Sequence, residues 1–272
     1  MPQLTETQLR ENVFVWTLGG EEIPTSYGAN CTAVAGRRAT LLVDPLIAPA
    51  HARLVGDAAA RAGLPPIRWI ALTHHHTDHA LGASWFAARG AAVVAHEACG
   101  RGMEAAHPGL IAERRRVPAL AGLFADAEPY VPTLTFSDRL AVDLGGVRAE
   151  IFHPGPGHTA GDAVIHVPDA SLVVCGDLVS NGYHVNFEDA DLAGFERSLG
   201  RLLDRNAAAY VPGHGDPGGP EIVEAQRRYF GSIRKIVGEA SAESAEESIR
   251  RAFPGFRLGI VLGDTVRRFS ES

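Results

Sequence analysis

The sequence has few cysteines, no long apolar run and no visible signal peptide, and each absence excludes a class of protein. Its three cysteines are odd in number and form no spaced pair, which argues against the disulfide framework of a secreted protein. No window comes close to the roughly 18 uninterrupted apolar residues that a membrane-spanning helix needs. The N-terminal MPQLTETQLR has no apolar stretch behind a positive charge, so we expect a cytoplasmic protein.

Basic charge is also scarce. The chain has 25 Lys and Arg against 32 Asp and Glu, a formal net charge of −7 with a pI near 5.9. Nucleic-acid-binding proteins usually show a basic excess or a clustered basic face. The basic clusters here are short arginine pairs and one triplet, which are typical of a solvated surface. We therefore expect a small-molecule substrate, with neither nucleic acid nor membrane as a partner, and the oligomeric state stays open.

Length and composition favour one globular α/β domain. The chain has 272 residues, of which 46% are apolar and 21% charged, so it can bury a full core without a disulfide or a structural metal. We predict a single domain over residues 1–272, in which residues 220–272 form a C-terminal helical extension. Residues 97–132 carry four prolines around short helical pieces and show no clear period. They are predicted to form a flap over the active site.

Helical and β-rich runs alternate along the rest of the chain. Glycine and proline punctuate these runs, as expected at the ends of strands and helices. The mixture of βαβ-like units with hairpins predicts sheets that are covered by helices. The predicted strands span residues 12–17, 31–36, 39–44, 67–72, 91–96, 139–144, 147–152, 162–167, 171–175 and 208–211, and the predicted helices span 49–62, 80–89 and 189–206.

The clearest chemical signal is an H-x-H-x-D-H pattern directly after the predicted strand 67–72. It consists of His74, His76, Asp78 and His79 in THHHTDH. Alternating positions of a strand point to opposite faces, so these four side chains cannot all face a core. A loop that turns at this point can direct all of them at a cation, and closely spaced imidazoles and carboxylates are metal ligands. The pattern predicts a metal site.

Three further candidates follow other predicted strands. His158 lies in HPGPGHTAGD, Asp177 follows the apolar run LVVC, and His214 lies in VPGHGD. All three occupy glycine-rich turns beyond strand ends, where the loops of a layered α/β fold converge. Glycine allows the sharp bend that a short side chain needs in order to reach an ion. We expect these residues to join the first cluster.

Together these motifs resemble those of the metallo-β-lactamase-fold hydrolases. The matching stretches are THHHTDH, PGHTAGD, CGD and PGHG, and the resemblance extends from about Val13 to His214. It implies an α/β fold of the αββα sandwich type, with two mixed β-sheets flanked by helices and two metals at one edge. The resemblance assigns His74, His76 and His158 to the first metal. It assigns Asp78, His79 and His214 to the second metal, Asp177 to a bridge between them, and Asp44 to support of the ligand loop.

The chemistry of these donors agrees with that assignment. Five imidazoles and two carboxylates without a thiolate suit zinc and tolerate iron or manganese, so two Zn²⁺ ions are the expected cofactors. Two metals about 3.5–4 Å apart can share a hydroxide, which is a nucleophile at neutral pH. Asp78 and Asp177 are accordingly the predicted catalytic carboxylates. Tyr183, a few residues after Asp177, is a further candidate as a hydrogen-bond donor to the substrate.

The reaction class follows from the residue at the bridging position. Glyoxalase II-like thioesterases carry aspartate there, as here at Asp177, whereas the β-lactamases of the fold usually carry a small residue. We therefore expect a metal-dependent hydrolase of a small thioester, ester or lactone. A β-lactamase and an iron-dependent persulfide dioxygenase of the same fold remain alternatives. A nuclease of the fold is disfavoured because it needs a long insertion between the late motifs, whereas His158 and His214 are only 56 positions apart, and because the chain is acidic. A non-catalytic binding module is disfavoured because all seven ligands are present.

Overall fold

Two β-sheets face each other in the computed structural model, which describes residues 3–271. Residues 1, 2 and 272 of the predicted domain lie outside the described residues. The first sheet has its strands in chain order, antiparallel from the first to the fourth strand and parallel from the fourth to the seventh. These strands are β1 (Thr5–Arg10), β2 (Val13–Thr17), β3 (Asn30–Ala35), β4 (Thr40–Val43), β5 (Ile67–Ala71), β6 (Ala92–His96) and β7 (Leu134–Phe136).

The second sheet contains the remaining strands of the described chain. They are β8 (Arg139–Asp143), β9 (Arg148–Phe152), β10 (Val164–Val167), β11 (Leu172–Ser180) and β12 (Ala209–His214). Their spatial order is β12-β11-β10-β9-β8, and the pairs are antiparallel except for β11 and β12, which are parallel. Both sheets are therefore mixed, as predicted.

Helices cover the outer face of each sheet. They are α1 (Pro49–Arg61), α2 (Thr77–Ala80), α3 (Ala83–Ala87), α4 (Glu97–Arg116), α5 (Pro118–Ala121), α6 (Leu192–Leu203), α7 (Pro220–Glu239), α8 (Ala242–Ala252) and α9 (Leu262–Ser270). Short 3₁₀ turns lie at Ile23–Gly28, Pro168–Ala170 and Gly259–Val261. Among residues 3–271, none of the helices combines the length and the apolar character that crossing a bilayer requires.

The sandwich arises because the apolar strands bury both of their faces. In β4, Leu41 and Val43 enter the cluster between the sheets, whereas Leu42 packs among the helices outside the first sheet. In β11, Val174 faces the other sheet and Cys175 faces the helices outside the second sheet. This period of two follows from strand geometry, and strands buried on both faces appear as continuous apolar runs. The predicted αββα fold is confirmed.

The sequence reading missed two strands. The residues of β1 are polar except for Leu9, and five of its six positions are exposed, because β1 is an edge strand with little to bury. The other missed strand, β7, has three residues and is too short to show a pattern. The predicted helix 80–89 contains the short helix α3 and only the last residue of α2, and the two helices are separated near Gly82. A side chain at Gly82 would collide with the backbone of Pro45.

The prediction of short helical pieces in residues 97–132 is wrong for its first half. Glu97–Arg116 is one helix of 20 residues that continues through Pro108. Its buried positions include Cys99, Met103, His107 and Ile111, spaced by four residues along one face. Burial of this stripe outweighs the hydrogen bond that the proline removes. Whether the segment moves as a flap stays a prediction.

Candidate metal centre

The seven predicted ligands lie together at one edge of the sandwich. Four of them occupy the loop after β5 and the short helix α2, and the others come from the β9–β10 loop, from β11 and from the end of β12. The predicted turn location is wrong for two of them, because β11 continues to Ser180 and β12 to His214. Asp177 thus lies within a strand, which is irregular on both sides of Gly176. A bulge of this kind redirects a side chain.

The first ligand group contains His74, His76, His158 and Asp177, whose donor atoms all lie within 4.8 Å of one another. His158 Nε2 is 3.0 Å from His76 Nδ1. Asp177 Oδ2 is 3.6 Å from His158 Nε2 and 3.9 Å from His74 Nε2.

The second group contains Asp78, His79 and His214. His79 Nε2 and His214 Nε2 are 3.3 Å apart, and Asp78 Oδ2 is 3.5 Å from the former and 3.4 Å from the latter. Asp177 also contacts this group, with Oδ1 3.2 Å from His79 Nε2 and Oδ2 3.4 Å from His214 Nε2. One carboxylate therefore contacts both groups.

These donors fit divalent metal. Two ligand atoms on one tetrahedral zinc ion, each bound at about 2.0–2.1 Å, lie about 3.3 Å apart, close to the spacings within both groups. His74 Nε2 is buried and has no hydrogen-bond partner among the described residues. Imidazole nitrogens that face each other across 3.0 and 3.3 Å can hydrogen-bond only when one of the two holds a proton, whereas a cation binds both as neutral ligands. A cation satisfies all of these nitrogens.

Asp44, the aspartate predicted to support the ligand loop, contacts both ends of that loop, at Thr73 and at His79. Asp44 Oδ2 is 2.9 Å from His79 Nδ1 and accepts a 2.6 Å hydrogen bond from the Thr73 hydroxyl. Asp44 Oδ1 accepts a 2.8 Å hydrogen bond from the Thr73 amide. A carboxylate on the outer nitrogen of a ligating imidazole fixes the tautomer that presents the other nitrogen to the metal. Asp44 thereby orients His79.

The sequence did not predict the other contacts to imidazole nitrogens that face away from the ligand groups. Asp189 Oδ2 is 3.0 Å from His76 Nε2, and it also lies 3.5 Å from His75 Nε2. The carbonyl of Tyr27 is 3.1 Å from His214 Nδ1. No motif marks Asp189 as a partner, and a backbone carbonyl leaves no trace in the sequence. Tyr27 itself has a left-handed φ of 51°, an uncommon conformation for a residue other than glycine.

Glycine is required at two positions beside Asp177. Gly176 has a φ of +55°, and a side chain there would meet Thr73. A side chain at Gly213 would collide with the Asp177 carboxylate itself. The glycines of the CGD and PGHG motifs therefore create the space that the shared carboxylate occupies.

The structure does not support Tyr183 as a donor to the substrate. Its ring lies against that of His214, with centroids 5.5 Å apart, and its hydroxyl accepts a 3.0 Å hydrogen bond from Arg257. Tyr183 is buried and is absent from the described residues that line the cavity, whereas the adjacent His184 lines it. The Tyr183 side chain packs against His214 on the side away from the cavity, so it does not face a substrate there.

The cavity beside the ligands has a volume of about 360 Å³. The α4 face that borders it carries Ala106, His107, Leu110 and Arg114, and the C-terminal region adds Leu258, Ile260 and Val261. The predicted flap segment 97–132 and the predicted C-terminal extension 220–272 thus both supply walls. Cavities of this size hold small molecules.

Electrostatics divide the histidines into two kinds. Burial lowers the pKa of His158 to about 3 and that of His74 well below its usual value. Burial acts in the same direction on His79 and His214, but the Asp177 and Asp78 charges outweigh it. They hold the pKa of His79 well above its usual value and raise the pKa of His214 to about 9. Burial lowers the pKa of His76 too, but the hydrogen bond to Asp189 and the nearby carboxylate charges outweigh it and raise that pKa. Without metal, His79 and His214 at least carry protons at neutral pH.

Comparison with known proteins gives one consistent relationship. The family described as "Metallo-beta-lactamase superfamily" matches residues 24–214. A hydroxyacylglutathione hydrolase from Acidiphilium cryptum is 33% identical over 232 residues, which cover 85% of this chain and 80% of that protein. A type 2 metallo-beta-lactamase from Bacteroides fragilis is 30% identical over 99 residues, 35% of this chain and 40% of that protein.

Two more relatives extend this picture. An acyl-coenzyme A thioesterase from Bos taurus is 29% identical over 189 residues, 62% of this chain and 63% of that protein. The matches therefore span less than two thirds of the length of the Bos taurus and Bacteroides fragilis proteins. A solved metallo-beta-lactamase from Pontibacter korlensis has a TM-score of 0.66 and 22% identity, covering 84% of this chain and 99% of that chain. This last likeness is one of fold.

We predict that metal binding releases protons at pH 7. Ligating imidazoles must be neutral, and His79 and His214 hold protons in the metal-free protein because their pKa values are raised. Affinity should fall as the pH falls, since protons then compete more strongly. Calorimetric titration of metal-free protein with Zn²⁺, in buffers of different ionisation enthalpy, should give about two protons released. Binding heats that do not depend on the buffer would contradict this.

We also predict that Asp177→Ala weakens metal binding at least about tenfold while the fold persists. Asp177 contacts both ligand groups, whereas the apolar clusters on either side of its sheet do not depend on its charge. Metal content after dialysis and the melting temperature of the metal-free protein are the measurements. Asp169→Ala, in the exposed 3₁₀ turn between β10 and β11, is the control. Full metal retention by Asp177→Ala would show that the carboxylate is not a ligand.

Proposed function

Because the chain belongs to the metallo-beta-lactamase superfamily and carries a His/Asp cluster for divalent metal, we propose a two-zinc hydrolase of small thioesters, esters or lactones. The observation that carries the proposal is the Asp177 carboxylate, whose oxygens lie 3.2–3.9 Å from imidazoles of both ligand groups. Aspartate at this position is the choice of glyoxalase II-like thioesterases. β-Lactamases of the fold usually place a small residue there.

The relatives support a hydrolase of acyl compounds. The Acidiphilium cryptum protein is described as a hydroxyacylglutathione hydrolase and the Bos taurus protein as an acyl-coenzyme A thioesterase. We do not extend the proposal to glutathione, because the sequence lacks the basic substrate-binding signature expected for it. The cytoplasmic location expected from the N-terminal sequence stays a prediction.

In this proposal the two ligand groups would hold the metals, and Asp177 contacts the imidazoles of both groups. When bound, divalent ions supply Lewis acidity and lower the pKa of water, which gives a nucleophile at neutral pH. Asp44 and Asp189 hold the rings of His79 and His76 in the orientation that presents their inner nitrogens.

The two proposed catalytic carboxylates stay ionised. Burial raises the pKa of Asp177, but the charges of His214 and His79 outweigh it and hold that pKa well below its usual value. Burial opposes ionisation of Asp78 as well, and His79 with His214 again lowers its pKa. Ionised oxygens at Asp78 and Asp177 accept hydrogen bonds from a water that approaches the carbonyl, and so fix the direction of its attack.

The cavity suits a small acyl group. Ala106, Leu110, Leu258 and Val261 give it apolar walls on the α4 and C-terminal sides, while the ligands form its floor. Desolvation of the ester or thioester against these walls strengthens the interactions of its carbonyl with charged groups. The same cavity would also accept a β-lactam, and the similarity to the Bacteroides fragilis enzyme favours that as the second candidate.

We predict close to two zinc ions per chain. Both ligand groups are assembled from buried nitrogen and oxygen donors, and no cysteine belongs to the clusters found among the described residues. Elemental analysis of protein purified without chelator is the measurement, with Asp177→Ala as the variant expected to lose metal. One iron per chain would instead favour the persulfide dioxygenase.

We predict cleavage of a simple thioester or strained lactone with kcat/KM at least about 100-fold above that for a penicillin or a cephalosporin. Activated carbonyls with good leaving groups need less assistance than amides. Spectrophotometric assays of the zinc-loaded protein, run beside the Asp177→Ala variant, provide the comparison. Efficient β-lactam hydrolysis beside inert thioesters and lactones would replace this function with the second candidate.

A further inference from the structure

A single arginine lines the cavity beside the ligands. Arg114 is the only lysine or arginine among the described residues of its wall. It lies near the C-terminal end of α4, and only 9% of its surface is exposed. Arginine is seldom buried to this extent without a carboxylate or a full set of acceptors.

The contacts of Arg114 are incomplete. Its Nη2 donates a 2.8 Å hydrogen bond to the hydroxyl of Thr77, and its guanidinium carbon lies 5.1 Å from the ring centroid of Phe124. Its Nη1 is buried and has no acceptor among the described residues. Because each Nη carries two N–H groups, three of the four at the end of the guanidinium have no acceptor.

No carboxylate within the described chain pairs with this cation. Asp78 follows Thr77 directly, but its Oδ2 belongs to the second ligand group, 3.5 Å from His79 Nε2. The adjacent Arg115 offers a contrast, because its guanidinium donates to the carbonyls of Phe124 and Ala127 and pairs with Glu128. Arg115 has the contacts of a structural arginine, and Arg114 does not.

The acidic side chains elsewhere in the cavity already have partners. Asp189 contacts His75 and His76, and Glu188 Oε1 is 3.6 Å from Arg267. An uncompensated buried cation costs free energy, which an anionic ligand in the cavity would recover. Burial lowers the pKa of Arg114, and the charges of Asp78 and Glu113 oppose that shift without forming an ion pair with it among the described residues, so its buried N–H groups are left for an acceptor on a ligand.

We propose that Arg114 binds a carboxylate on the substrate, so that this hydrolase prefers acyl compounds with a free carboxylate. The inference rests on the proposed function and names the substrate class. The planar end of a guanidinium matches a carboxylate with two parallel hydrogen bonds, and the single positive charge of Arg114 balances the single negative charge of a carboxylate but not that of a phosphate dianion. Leu110 and Ile260, the latter 80% exposed, leave an apolar rim for the rest of the substrate.

The test compares two thioesters that differ only in this charge. The monothioester of glutaric acid carries the carboxylate, and its methyl ester lacks it. We expect the zinc-loaded protein to favour the acid, and Arg114→Gln to lower kcat/KM for the acid about 10- to 100-fold while the methyl ester changes little. Arg116→Gln, an equal charge change at an exposed position two residues further along α4, is the control. Arg114→Lys should retain part of the preference.

The outcomes separate this inference from the proposed function. Equal hydrolysis of both compounds, or an equal loss on both in Arg114→Gln, would overturn the carboxylate site and leave the hydrolase standing. If neither compound is cleaved, the proposed function fails and a binding measurement decides the inference. Glutarate, compared with neutral glutaramide, should then raise the melting temperature of the zinc-loaded protein and of Arg116→Gln, but not of Arg114→Gln. An equal rise in Arg114→Gln would overturn it. If Arg114→Gln does not fold, Arg114→Lys replaces it, with a smaller loss expected on the acid alone.

Discussion

One carboxylate, that of Asp177, lies among imidazoles that come from three other strand ends. The carboxylate must be close to His79 and His214 on one side and to His158 on the other. That requirement explains why the backbone around it is unusual. The left-handed Gly176 bends β11 at Asp177, and Gly213 on the parallel strand β12 leaves room for the carboxylate oxygen. The most regular part of the second sheet ends where the ligands begin.

The two ligand groups depend on the position of one sheet relative to the other. The loop after β5 brings its ligands from the first sheet, and β11 and β12 bring theirs from the second. Asn30 of β3 joins the sheets at this edge, because its side-chain amide donates to the carbonyls of Pro212 at 2.9 Å and Gly215 at 2.7 Å. A displacement of one sheet relative to the other would break these bonds and separate the donors. The apolar cluster between the sheets is therefore part of what holds the centre.

The local sequence predicted the clustered His and Asp side chains and the sheets with their helices. It did not predict contacts between residues that are far apart in the chain. The THHHTDH cluster and the apolar runs LLV and LVVC carry their meaning within a few residues. The contacts of Asp189 and of the Tyr27 carbonyl join parts of the chain more than 100 residues apart, and nothing near those residues announces them. Tyr183 was misjudged for the same reason, since proximity to Asp177 in sequence does not fix the direction of a side chain. The long helix α4 formed despite Pro108 because its buried stripe depends on tertiary packing.

Charge connects the ligands with the cavity in front of them. The two carboxylates Asp78 and Asp177 give the metal-free centre its negative charge, and protons on His79 and His214 offset part of it. If both groups were filled, divalent ions would displace those protons. Their positive charge would then exceed the negative charge of the two carboxylates. The unpaired cation of Arg114 adds to this. Filled ligand groups would therefore offset the four acidic side chains that line the cavity, which are Asp78, Asp177, Glu188 and Asp189, and an anionic substrate would then meet less repulsion there. The cavity of the metal-free chain is acidic, like the chain as a whole, so the proposed preference for an anionic substrate depends on bound metal as well as on Arg114.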